Sequence, residues 1–202
     1  MSARLTILPD PRFADLSSEL TARLHQVADT LSSENFASVM DGVMRGVMVQ
    51  GFREVHADEG TIWLLDDARD FLVPAFNSGP NADQMVGKFH QPLSTGLICM
   101  VFASEQPFVE NEVRKNARQS KLLDDLLHVR TDALMVVPFY FLHGCRGVVS
   151  CVQLSAPNSG PSTRPGFTAE NLDGLQRVAV TVSRLLEYRL LSRTVGWDDP
   201  EG

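Results

Sequence analysis

The sequence predicts an α+β fold, an antiparallel sheet covered on its faces by helices. Three observations predict it. Residues 132–154 hold two apolar runs joined by a tight turn, Ala133-Leu-Met-Val-Val-Pro-Phe-Tyr-Phe141 and Gly147-Val-Val-Ser-Cys-Val-Gln-Leu154. Both are rich in β-branched and aromatic residues and too continuous for amphipathic helices. A second pair, Gly60-Thr-Ile-Trp-Leu-Leu65 and Phe71-Leu-Val-Pro-Ala-Phe76, brackets the polar Asp66-Asp67-Ala68-Arg69-Asp70 as a hairpin does. Near the C-terminus, Leu172, Leu175, Val178, Ala179, Val182, Leu185, Leu186 and Leu190 keep helical spacing for about five turns.

In chain order, residues 1–12 carry Pro9 and Pro11 and read as a loose lead-in. A helix over residues 13–33 follows, with Leu16, Leu20, Leu24, Val27 and Leu31 in one narrow stripe. Ser32-Ser33-Glu34-Asn35 breaks the pattern and can cap a second helix, whose wider face holds Phe36, Val39, Met40, Val43, Val47 and Phe52. After the first hairpin, residues 77–91 form a long polar connection, and long connections often carry function. Ser94 or Thr95 can cap a short helix through Leu97, Ile98, Val101 and Phe102, and Pro107-Phe-Val109 reads as a brief strand. Residues 116–130 read as helical at their centre, with Leu122, Leu123, Leu126 and Leu127 on one side.

The second hairpin comes next, with residues 143–146 as its turn and Pro138, which lacks a backbone donor, at an edge or bulge. A loop rich in Pro, Ser and Gly leads to the last helix, which Thr168 caps and Phe167 staples onto Leu172. The domain reading is therefore one unit over residues 34–192, preceded by the 13–33 helix and followed by a solvated tail at 193–202.

Composition narrows function. A formal charge of −7 argues against nucleic acid and against an anionic membrane surface. No apolar run approaches the roughly 20 residues of a membrane span, and Met1-Ser-Ala-Arg-Leu-Thr6 lacks a secretory core. Cys99, Cys145 and Cys151 form no CxxC and leave one thiol over in any disulfide scheme, which reads as reduced thiols in a cytoplasm. No Gly-rich phosphate loop, HExxH or GxSxG occurs. Asp66, Asp67, Asp124 and Asp125 read as turn or solvated-helix carboxylates without catalytic duty.

The chain resembles the GAF domain family. The resemblance rests on Thr61-Ile-Trp-Leu-Leu-Asp66, on Gly96-Leu-Ile-Cys-Met-Val-Phe-Ala-Ser-Glu-Gln-Pro107, on Val137-Pro138 followed by Gly147-Val-Val-Ser-Cys-Val-Gln-Leu154, and on Phe167-Thr168 opening the final helix. It implies a six-stranded antiparallel sheet with the terminal helices on one face and short helices and loops roofing a pocket on the other. It also implies a sensory or regulatory module binding a small ligand, with no cofactor singled out; the alternatives are a thiol-dependent reductase of free methionine sulfoxide and a pure dimerisation module with a filled pocket. The pocket residues expected on this basis are Phe76, Phe89, His90, Ser94, Thr95, Gly96, Leu97, Met100, Arg118, Leu127, Arg130 and Thr131. Ser94, Thr95 and the Gly96 amide sit where a helix start favours an anion, and Arg118, Arg130 and Thr131 can add polar contacts.

The family's variants make further demands. Reduction of free methionine sulfoxide, one activity in the family, needs two cysteines. Cys99 stands where one belongs and a helix start would favour its thiolate, but residues 122–130 hold no second. Bilin attachment needs Cys followed by His, and Met100 follows Cys99. Haem would require His90 or His128 as ligand, and the pair His143 and Cys145 lacks further metal ligands nearby. The cyclic-nucleotide signature of Asn-Lys is absent after Gln153-Leu154, and Asn171-Leu-Asp173 stands where Asp and Glu belong.

Assembly follows from apolar stripes at both chain ends. Leu16, Leu20, Leu24, Val27 and Leu31 with Val178, Val182, Leu185 and Leu190 exceed what one sheet face covers, so the reading is a homodimer through a helical bundle. The alternative is that the two helices satisfy each other within one chain. No kinase, cyclase or DNA-binding segment is recognisable in the sequence, so the expected recipient of a signal is a separate signalling protein or a part of the protein beyond this sequence.

Overall fold

Strand order follows from the two hairpins meeting along one strand from each. The computed structural model describes residues 10–142, 144–160, 162 and 164–196. In chain order its elements begin with helices α1 (Ala14–Asp29), α2 (Phe36–Val39) and α3 (Gly42–Glu54), then strands β1 (Glu59–Leu65) and β2 (Phe71–Asn77). Helix α4 (Ala82–Met85), strand β3 (Gln91–Pro92), helix α5 (Leu97–Ser104), strand β4 (Phe108–Glu110) and helix α6 (Leu122–Leu127) follow. Strands β5 (Arg130–Phe141) and β6 (Gly144–Ser155) and helix α7 (Ala169–Thr194) complete the chain. The six strands form one sheet in the order β3-β2-β1-β6-β5-β4, all neighbours antiparallel. The α+β class and six-stranded sheet expected from the sequence are what the chain forms.

Helices α1, α2, α3 and α7 cover one face. Leu24, Phe36, Met44, Met48, Phe52, Leu175, Leu186 and Leu190 are buried there against Ile62, Leu64, Met135, Phe139 and Val149. Helix α7 starts at a capping box in which Thr168 and Asn171 exchange side-chain and backbone hydrogen bonds. Its 26 residues span about 39 Å.

Three details correct the sequence reading. The second helix is two: Asp41 accepts from Met44 N at 2.7 Å and starts α3 afresh. That restart turns Met44, Met48 and Phe52 inward and leaves Val43 exposed. Strands β5 and β6 run past the expected ends, so Cys145 pairs with Tyr140 within the ladder rather than lying in a turn. His143 lies outside the described residues, as do the ends of the lead-in and tail. Asp10 caps a 3-10 turn at Pro11–Phe13, and α7 continues to Thr194, so order extends beyond both expected boundaries. Pro138 pairs with Val148 beyond the reach of β4, at a free edge as expected.

The terminal stripes are largely used within the chain. Leu24, Val182 and Leu190 are almost fully buried, and Val27, Leu31, Val178 and Leu185 are partly buried against the same core. These residues therefore are not a free surface. Leu16 remains 53% exposed and Leu20 is half-buried.

Candidate functional site

On the opposite face the sheet presents alternate residues to a thinner cover. Trp63, Leu72, Leu134, Val136 and Val148 pack there against Met85, Leu97, Cys99, Val101 and Val113. Between sheet and cover lies a cavity of about 100 Å³. Its floor is Glu59, Thr61 and Trp63 from β1, Asn77 from β2, Thr131 and Leu134 from β5, and Ser150, Val152 and Leu154 from β6. Its roof is Gly96, Leu97 and Ile98 at the start of α5 with Gln119, Ser120, Leu123, Asp124, Leu127 and Val129 in and around α6.

Two bulges decide what points into it. Between Ile62 and Trp63 the β1–β2 register slips, with Ile62 opposite Phe76 but Trp63 opposite Pro74. Ala75 is the extra residue, and a one-residue slip exchanges faces for everything beyond it. Phe76 thereby joins the helix-side core, where the Arg45 guanidinium lies 5.4 Å from its ring centroid, and Asn77 turns into the cavity. A second slip between Thr131 and Ala133 makes Asp132 the extra residue of β5 and sets Thr131 and Leu134 on the cavity side.

The floor is polar where it is buried. Glu59, Thr61, Asn77, Gln91, Thr131 and Ser150 are all buried. Trp63 Nε1 donates to Ser150 Oγ at 2.9 Å. Asn77 Nδ2 donates to Thr61 Oγ1 at 2.9 Å and to Glu59 Oε2 at 3.3 Å. Gly79 N donates to Asn77 Oδ1 at 2.7 Å, and the Glu59 carboxyl group lies where a Cβ at Gly79 would stand, so a larger residue there would displace the carboxyl group. Burial, opposed by the Asn77 hydrogen bond and reinforced by Asp58, raises the Glu59 pKa.

Asp124 ties the roof to the floor. It accepts from Thr131 N at 2.9 Å, Thr131 Oγ1 at 2.7 Å and Gln119 Nε2 at 3.1 Å. Burial raises its pKa against those bonds. Gln119 Oε1 is buried without a hydrogen-bond partner.

Of the expected pocket residues, Gly96, Leu97, Leu127 and Thr131 come together at the cavity. Phe89 stands behind it, edge-on to Trp63 with centroids 6.1 Å apart. Phe76 is on the other face. His90 is exposed and edge-on to Phe71. Ser94 and Thr95 are exposed, and neither caps α5. Gly96 is the N-cap, at φ 95°, while Thr95 O and Oγ1 accept from Gln91 Nε2. Met100 Sδ accepts from the exposed Arg118 at 3.3 Å, outside the lining. Arg130 is spent on Asp132, Ser159 O and Gly160 O, holding the loop before α7. The basic groups expected at an anion site are thus engaged elsewhere. Glu59, Asn77, Gln119 and Asp124 were missed. The signal for them was Glu59 standing two residues before Thr61, at strand alternation, but the apolar run begins only at Gly60.

The thiol at the pocket helix is not activated. Cys99 is buried, its Sγ donates to Pro92 O at 3.3 Å, and burial pushes its pKa up to about 12. The helix start expected to favour thiolate is outweighed by desolvation. Cys145 is raised to about 11, mainly by burial, and Cys151 is raised well above the ordinary range by burial. His128 is exposed at the C-cap of α6. Among the described residues no group of three or more His, Cys, Asp or Glu could hold a metal, and no helix is long and apolar enough to cross a membrane.

No protein-family model matches the chain, and no curated protein does. Solved structures do. The chain is similar to the GAF domain of a phosphoenolpyruvate-protein phosphotransferase from Coxiella burnetii, with TM-score 0.59 and 16% identity over 89% of this chain and 98% of that one. The corresponding Acinetobacter domain gives TM-score 0.57 and 18% identity over 88% and 97%. A free methionine-R-sulfoxide reductase from Neisseria meningitidis, in complex with its substrate, gives TM-score 0.50 and 19% identity over 96% and 99%. At these identities the likeness concerns architecture, and with the sheet order and the roofed cavity described above, the chain has the GAF fold.

Proposed function

We propose that this chain is a non-catalytic GAF-like sensory or regulatory module that binds a small ligand between sheet and roof. The observation that carries the reading is the cavity itself, roofed by α5 and α6 and floored by buried polar side chains, with one buried acceptor on its lining left unpaired. Gln119 Oε1 is that acceptor. Buried polar atoms in folded proteins are nearly always paired, so an unpaired acceptor on the wall of a roofed cavity reads as a place for a guest.

The ligand signal would leave through α1 and α7. Phe13, Leu16, Val180 and Tyr188 keep 43–58% of their surface exposed on these end segments. A second copy covering them makes a homodimer, with a separate signalling protein as the recipient. Thiol-dependent reduction of free methionine sulfoxide, the activity of the meningococcal neighbour, is disfavoured by the buried, protonated Cys99.

The test is mass spectrometry of small molecules released on denaturing the purified protein, paired with hydrogen exchange of the roof. A retained molecule whose re-addition slows exchange at residues 84–102 and 116–130 supports the reading. Uniform roof protection with nothing released removes it. Sedimentation of the native protein and of a Leu16→Glu/Val180→Glu variant tests the assembly. A native monomer, or an unchanged mass in the variant, removes the helical route.

A further inference from the structure

Glu59 is the one charged group on the cavity floor, and it is only 8% exposed. A carboxylate this buried is ordinarily paired with a cation or wrapped in several hydrogen bonds. Among the described residues Glu59 has neither. It takes part in no ion pair, and its carboxyl accepts a single long hydrogen bond, from Asn77 at 3.3 Å. The neighbouring charge that acts on it is Asp58, which is of the same sign. Asp124 lines the roof, also without a cation, and no Lys or Arg lines the cavity. Gln119 Oε1 adds an unpaired acceptor. The two charged groups lining this space are thus both acidic, and no basic side chain lines it with them.

We infer that the pocket is built for a small organic cation, an ammonium group seated at Glu59 with a short apolar body against Trp63, Leu97 and Leu134. The inference rests on the ligand-pocket reading above and names its ligand class. Ammonium supplies three donors, enough for the Glu59 carboxylate and further acceptors of the lining. A water could satisfy the acceptors but would leave the buried charge unbalanced. Size follows from volume. A dry cavity of about 150 Å³ holds benzene, so the cavity of about 100 Å³ takes a ligand of about five non-hydrogen atoms.

The experiment titrates the full chain with n-butylammonium, 1-butanol and butyrate at equal ionic strength, read by calorimetry. One ligand shape is thereby offered in three charge states. Butylammonium should bind wild type about tenfold or more tighter than butanol, the worth of one charge-assisted hydrogen bond, and butyrate should not compete. Glu59→Gln, which keeps the shape, should bring the ammonium-to-alcohol ratio close to one with circular dichroism unchanged. Equal or tighter binding of butanol or butyrate to wild type overturns the cation while leaving the ligand pocket standing. So does an undiminished ammonium preference in a folded Glu59→Gln. Binding of none of the three overturns the charge and size assignments, and the release experiment above then decides whether the pocket itself survives.

Discussion

The two faces of the sheet bury polar groups in different ways. On the helix face each one closes a defined backbone atom. Glu187 accepts from Leu142 N at 2.7 Å, Ser183 donates to Tyr140 O, and Gln153 donates to His56 O at 3.3 Å. These bonds fasten α7 and the end of α3 to the strands, inside an otherwise apolar layer. On the roof face the buried polar groups bond one another around a void, and two keep unused capacity, Glu59 and Gln119. The same chemistry is structural on one side and available on the other. What differs is whether a protein atom or an empty volume lies opposite.

Large-to-small substitutions should separate the faces most. Leu186 is fully buried between α7 and the sheet. Leu186→Ala should cost about 2–5 kcal/mol by urea unfolding, because a tight layer cannot collapse around the gap. Leu123 is half-buried and already borders the cavity, so Leu123→Ala should cost only about 1 kcal/mol. Equal losses would mean that the roof is packed as tightly as the helix layer.

The two buried glutamates sharpen the contrast. Glu187→Ala removes the acceptor of the Leu142 amide and should cost about 1–3 kcal/mol. Glu59→Gln removes a charge with no counter-ion and should change stability by less than about 1 kcal/mol, in the stabilising direction at neutral pH. Its pH dependence carries a sign. The folded state holds the Glu59 proton more tightly than the unfolded chain, so this group favours folding at low pH. That contribution is lost as pH rises from the ordinary glutamate value of 4.5 through the raised folded value. The wild-type minus Glu59→Gln stability difference, followed by urea unfolding across that window, should therefore fall as pH rises. A rising difference would mean that Glu59 has a cationic partner in the folded protein.

The same contrast explains what was legible in the sequence. The fold was, because strand alternation and the 3.6-residue period of α7 are set by burial on the apolar side. Gly96, Leu97, Leu127 and Thr131, which the family resemblance implies for the pocket, do line the cavity. Phe76 is not at the cavity, because the extra residue at Ala75 reverses its face, and Pro74, which cannot donate to a ladder, is the one mark of that slip in the sequence. Asp124 reads in the sequence as a solvated carboxylate because the six residues of α6 are too few to define a face. Arg118 and Arg130, expected from the resemblance as polar contacts of the pocket, are engaged elsewhere. Their partners, Met100 and the 159–160 backbone, are set by tertiary approach.

The smallest effect expected is at Cys99. It lies in the roof-side core but not on the wall of the cavity. Its thiol donates to Pro92 O, and burial holds its pKa near 12. At pH 8 the thiolate fraction is then about one in ten thousand, and the thiolate is the reacting species. A thiol-specific alkylating agent should leave Cys99 unmodified in the native protein over minutes, while all three cysteines react in guanidinium, as peptide mass mapping would read. Cys99→Ser keeps a donor for Pro92 O at nearly the same volume, so unfolding should shift by less than about 1.5 kcal/mol and ligand retention should stay unchanged. Rapid native alkylation of Cys99, or thiol-dependent turnover of free methionine sulfoxide lost in Cys99→Ser, would turn the roof from a binding surface into a reactive one and reverse the assignment of the two faces.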